Sequence, residues 1–254
     1  MNERVESTPE VTGRHDDEPD REAAEREFLD DLRAHTPAPA GEVPGQLRPP
    51  AETSEDPFRD STEGFHARSL EEYHPVHPDE WVEPPPHEKV DREPFGDPRE
   101  IALGVNENFA VTDQEDEWNT NCVDCARAVE RRWRGQDEVA SGRADKCGEY
   151  GDRVEEWAGQ PLRPADEARI ADVLGESGHG ASAIVCVQYR TGKSWHGHAM
   201  NAVNADGRIW LIDGQDGTAA PWPPSENEPF FSSPRITQMT WSYCGWDRNG
   251  KGLT

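Results

Sequence analysis

The sequence predicts an α+β domain, a helix followed by an antiparallel meander, standing behind a long acidic and proline-rich N-terminal region. Three observations lead there. Residues 121–134, NCVDCARAVERRWR, set Cys122, Cys125, Ala126, Val129 and Trp133 along one helical face, with Arg and Glu on the other. Three apolar runs of strand length follow: AIVCVQY (183–189), HAMNAVN (198–204) and RIWLID (208–213). The composition is also uneven. Of 254 residues, the first 100 hold 28 Asp and Glu against 11 Lys and Arg, and 15 of the 22 prolines.

That first stretch has too little large apolar surface to offset the entropy of ordering its backbone. The expectation is a disordered or linker region over 1–100 and a folded domain over 101–254. Within the region, REAAEREFLDDLRAH (20–34) has the composition of a transient helix, and 36–99 reads as extended, polyproline-like linker. His74 and His77 in YHPVHPDEW resemble a metal pair only faintly. With no Cys or further His at metal spacing nearby, no metal site is assigned to them.

In the folded part, Asn121 is suited to cap the first helix and Gly135 to end it. A second helix is expected from Pro164 or Ala165 to Leu174, stopped by Gly175. Gly178–Gly180 is a turn. Asp206-Gly207 is a strong two-residue hairpin signal between the second and third strands. From Pro221 onward only a short strand around Ile236–Trp241 is expected.

The net charge of −26 opposes binding to phosphate, and no basic stripe with interleaved aromatics is present. No run approaches the ~20 apolar residues of a membrane span. The start, MNERVESTPE, lacks the apolar core of a signal peptide. Five cysteines, an odd number, suit free thiols in a reducing compartment.

Cys122 falls in the first turn of its helix, where unpaired N–H groups and the positive end of the dipole favour a thiolate. The same amides are placed to hold an oxyanion. Cys125 lies deeper, where both effects are weaker. The CxxC pair lacks the second half of a zinc site, and polar residues precede it where a redox motif would have a strand. Hairpin parity tests the partners. With Asp206-Gly207 as the loop, paired numbers sum to 413, so His198 lies opposite Gln215 and diagonal to Asp213 on one face. A base, a carboxylate to orient it and an amide would then meet. His196 shares that face, and parity does not separate it from His198.

Together, TNCVDCARAVERRWRG and GHAMNAVNADGRIWLIDGQDG resemble the papain-fold toxin family of glutamine deamidase type, found at the C-termini of bacterial polymorphic toxins. The similarity spans about residues 105–220. It implies a papain-like fold with Cys122 as nucleophile, His198 as the histidine and Asp213 as the aspartate, which decides against His196. Gln215 takes a supporting role, as does Asn121 beside the nucleophile. The resemblance implies no cofactor. It implies a target protein presenting a Gln side chain, a cognate immunity protein, and delivery by a specialised secretion or injection apparatus into a target-cell cytosol. The same trio would also serve a cysteine protease or an acyltransferase. Cys147 and the WHGH context have no counterpart in the family pattern.

Overall fold

Residues 65, 67–109, 116–228 and 230–254 are described by the computed structural model. The helix expected over 20–34, and most of the acidic region, lie outside these residues.

Residues 67–99, expected to be linker, are instead built onto the domain. Ser69 opens α1 (Leu70–Tyr73) with a reciprocal capping box to Glu72. Leu70, Tyr73 and Phe95 are buried. The segment continues through β1 (Trp81–Val82), which pairs antiparallel with β2 (Gly142–Arg143), to α2 (Pro98–Ala102), capped by Asp97. Composition missed this because few apolar residues are used, and ion pairs do the rest. Glu80 is held by Arg143 at 3.0 Å and Arg153 at 2.6 Å. His77 sits beside Glu156 at 3.3 Å, and His74 beside Asp124 at 3.0 Å. The two histidines therefore meet carboxylates, not a metal, and among the described residues no cluster of potential metal ligands forms.

The expected first helix is α3 (Cys122–Trp133). Its apolar face packs as predicted, with Cys125, Ala128, Val129 and Trp133 in one core cluster. Its polar face is not solvated, however. Asp124, Arg127, Glu130 and Arg132 are buried too: residues 67–105 cover Asp124, Arg127 and Arg132, while Glu130 accepts from Ser182 Oγ of the sheet at 2.7 Å. Each charge there has partners. Arg127 meets Asp124 at 3.2 Å and Glu149 at 2.8 Å; Glu130 meets Arg134 at 2.9 Å; Arg132 donates to the carbonyls of Leu103 and Gly104.

A helix that the sequence did not mark, α4 (Gly151–Ala158), buries Val154 and Trp157. The second expected helix is shifted. Pro164 lies in β3 (Arg163–Ala165), an edge strand where its missing N–H costs no ladder bond on the open side. The helix, α5 (Glu167–Ser177), starts after Asp166, whose side chain accepts from the Arg169 amide. It runs through Gly175 and ends at Gly178, where φ is 78°.

The sheet has six antiparallel strands in the order β3-β8-β4-β5-β6-β7. Here β4 is Ser182–Thr191, β5 Ser194–Ala205, β6 Arg208–Asp213, β7 Thr218–Pro221 and β8 Ile236–Trp246. A short helix, α6 (Pro224–Asn227), links β7 towards β8. The predicted hairpin register holds, with Ala205 opposite Arg208 and Asn201 opposite Ile212. Asp206 and Gly207 adopt φ of 52° and 81°, the left-handed pair that a tight two-residue turn requires. The short strand expected near Ile236–Trp241 is longer and lies inside the sheet, between β3 and β4. The α3 helix packs against β5, with the Asn201 side chain donating to Ala126 O at 3.1 Å.

Candidate active site

The site forms where the start of α3 meets the ends of β5 and β6. Cys122 is the first helical residue and half-buried. The β5–β6 ladder ends at Asn201–Ile212, and just beyond it His198 and Asp213 turn towards each other. His198 Nε2 lies 2.5 Å from Asp213 Oδ2. The Cys122 thiol acts on the same imidazole and favours its protonated form. Gly214 makes this approach possible. A Cβ there would lie 2.6 Å from Val129 Cγ2 and 3.1 Å from Cys125 O, so only glycine lets the strand end settle on the helix.

Asp213 divides its two oxygens. Oδ2 meets His198, while Oδ1 accepts the Gln215 amide at 2.9 Å and so fixes the turn that carries it. The turn-capping and imidazole-orienting roles are therefore compatible in one side chain. Burial works against a charged His198, but the Asp213 carboxylate and the Cys122 thiol outweigh it and raise the imidazole well above its ordinary 6.5.

The other thiols differ in kind. Burial pushes Cys125 well above the ordinary range, with Asp124 and Cys122 adding to the effect. Burial likewise lifts Cys186, beside Cys122, to about 12. Cys147 is exposed on a loop. Of the two helical cysteines, Cys122 alone is both at the helix start and within reach of the imidazole. His196, the competing histidine, stacks on Tyr189 with ring centroids 5.3 Å apart and lies 2.8 Å from Thr191 Oγ1.

Asn121 departs from its expected role as a cap. It occupies the N-cap position, but its side chain makes no capping hydrogen bond. It donates to Ser141 O at 3.0 Å and Asn106 Oδ1 at 3.2 Å, and accepts from Gln215 Nε2 at 3.4 Å. The first-turn amides of α3 thus receive no hydrogen bond from the N-cap side chain. All five residues singled out from the sequence stand in one cluster. Asn106 joins them without having been expected, since a lone Asn in a polar loop carries no sequence signal.

Residues 120–218 match the family model described as papain fold toxin 1, glutamine deamidase. Over these residues the chain is similar to this papain-fold family. The matched segment contains Cys122, His198, Asp213 and Gln215, together with strands β4 to β6. No curated protein and no solved structure matches the chain. Among the described residues no helix is long and apolar enough to cross a membrane.

Proposed function

We propose that the papain-fold domain hydrolyses the side-chain amide of a glutamine on a target protein, with Cys122 as nucleophile. The observation that carries this reading is the His198–Asp213 contact at 2.5 Å near Cys122 at the start of α3, inside a segment matched by a glutamine deamidase family.

The thiol gives its proton to His198, and the thiolate attacks the carboxamide carbon. Negative charge gathers on the amide oxygen, which the first-turn N–H groups of α3 are placed to receive. The imidazolium protonates the departing nitrogen, so ammonia leaves and a thioester remains. His198 then takes a proton from water as the water attacks the thioester, releasing glutamate and the thiol. Asp213 holds the imidazole in one tautomer and stabilises its charged form throughout. The target exchanges a group that donates and accepts for an anion that only accepts, which disrupts a buried hydrogen bond or an interface.

A self-toxic activity of this kind calls for an immunity protein in the producing cell and a specialised secretion or injection system to reach a target cytosol. The test is expression of wild type and Cys122→Ala in a bacterial cell, followed by proteome-wide mass spectrometry. Gln-to-Glu conversion on a defined protein, absent with Cys122→Ala, is the expected result. New cleavage sites in its place would make the domain a protease, and new amide cross-links an acyltransferase.

A further inference from the structure

The contacts around the site close into a ring, and one member lies outside everything so far assigned. Asn106 is 8% exposed and precedes the matched segment in the chain. Three acceptor oxygens converge on its one NH₂ group: Trp118 O at 2.9 Å, Asn121 Oδ1 at 3.2 Å and Gln215 O at 3.2 Å. Its own Oδ1 takes back a hydrogen bond from Asn121 Nδ2. Gln215 is tied to Asp213 Oδ1 and Asp213 to His198, whose proton is also favoured by Cys122, the residue after Asn121. The base and the nucleophile come from segments about 75 residues apart in the chain. No backbone ladder joins the start of α3 to the Asp213–Gln215 turn. The Asn106 amide spans that junction, and burial makes its bonds specific, since an unmet partner there costs more than at the surface.

We propose that Asn106 is a positioning residue, which sets the start of α3 against the Asp213–Gln215 turn and so holds the Cys122 thiol in register with His198. This rests on the reading that Cys122 and His198 react as a pair, but not on which amide they attack. Without the Asn106 bridge, Asn121 and Gln215 keep only the long direct bond from Gln215 Nε2 to Asn121 Oδ1 at 3.4 Å. The thiol and imidazole then drift by a fraction of an ångström to an ångström, enough to weaken proton sharing between them.

The probe is iodoacetamide, with alkylation followed by mass spectrometry of the peptide that holds Cys122, across the acid and neutral pH range. Wild type is expected to alkylate well below the pH at which a free thiol ionises. An ordinary free-thiol profile in wild type would remove the Cys122–His198 pair itself, and with it the proposed function. Given the wild-type profile, Asn106→Ala is expected to slow alkylation at acid pH by about 10- to 100-fold and to shift the profile towards a free thiol. Asn106→Asp keeps the acceptor and loses the donor; it should move the same way, and it replaces Asn106→Ala if that variant does not fold. Asn204→Ala removes a buried amide at the far end of β5, bonded to Leu174 O and Gly207 N, and is the stability control. A folded Asn106 variant with the wild-type profile overturns the proposal. So does a shift of equal size in Asn204→Ala.

Discussion

His198 is the residue on which charge, burial and reactivity meet. It is shielded from water, yet its proton is favoured from two sides, by the Asp213 carboxylate and the Cys122 thiol. Linkage turns that preference into stability. Because the native imidazole binds its proton more tightly than the unfolded one, the stabilisation is complete below about pH 6.5 and is lost as pH rises through the raised native value. Urea unfolding of wild type and His198→Gln at a series of pH values should show a wild-type advantage that shrinks in the alkaline range. An advantage that grows with alkalinity would mean that the ring is held neutral. In the sequence, a helix start pointed to Cys122 and hairpin parity to a face shared by His198 and Asp213, while the family resemblance chose His198 over His196. Parity left His196 open, since it gives the face of a strand and not the distance along it. The structure places His196 against Tyr189, one turn of the pleat nearer the β4–β5 hairpin.

At the scale of elements, α3 is a helix buried on all sides. The sequence marked its extent well and its surroundings poorly, because a stripe of Arg and Glu reads as a solvated face. Such a stripe is buried only when another segment brings matching charges, and that segment's contribution is not written in the helix. Arg127 shows the consequence. Its guanidinium lies 4.4 Å from the centre of the Tyr73 ring and bonds Glu149 and Asp124. Arg127→Ala would leave Glu149 buried without its cation and Asp124 with only His74 and the Ser141 amide. The expected loss is about 3–5 kcal/mol of unfolding free energy, measurable by denaturant titration. A loss below ~1 kcal/mol would show that the cluster is hydrated and that α3 is less enclosed than its packing indicates. The misplaced second helix has a simpler origin. Pro164 suits a first helical turn and an edge strand alike, and the pairing with β8 that decides between them comes from about 80 residues away.

At the scale of the molecule, the folded unit is larger than the segment that carries the family pattern. Residues 120–218 hold the chemistry, but Leu70, Tyr73 and Phe95 complete the core on one side of α3. The Leu70 amide is bonded to Glu138, and Arg131 reaches both Glu138 and Ala67 O. A chain beginning at residue 100 should therefore melt at lower temperature and less cooperatively than one beginning at residue 65, as calorimetry would show. Equal melting of the two would make residues 67–99 a passenger. Composition could not forecast their part, since proline and acid dominate the average while a few residues make the contacts.

The place of β8 has a further consequence, one of timing. Translation delivers β4 and β5 well before Ile236–Trp246, yet β4 lies between β5 and β8 in the finished sheet. Until Ile236–Trp246 leave the ribosome, β4 presents a bare row of amides and carbonyls, and Cys244 and Trp246 are missing from the cluster that includes Val123 and Ala126 of α3. The start of α3 is thus translated well before the strand that completes the packing behind it.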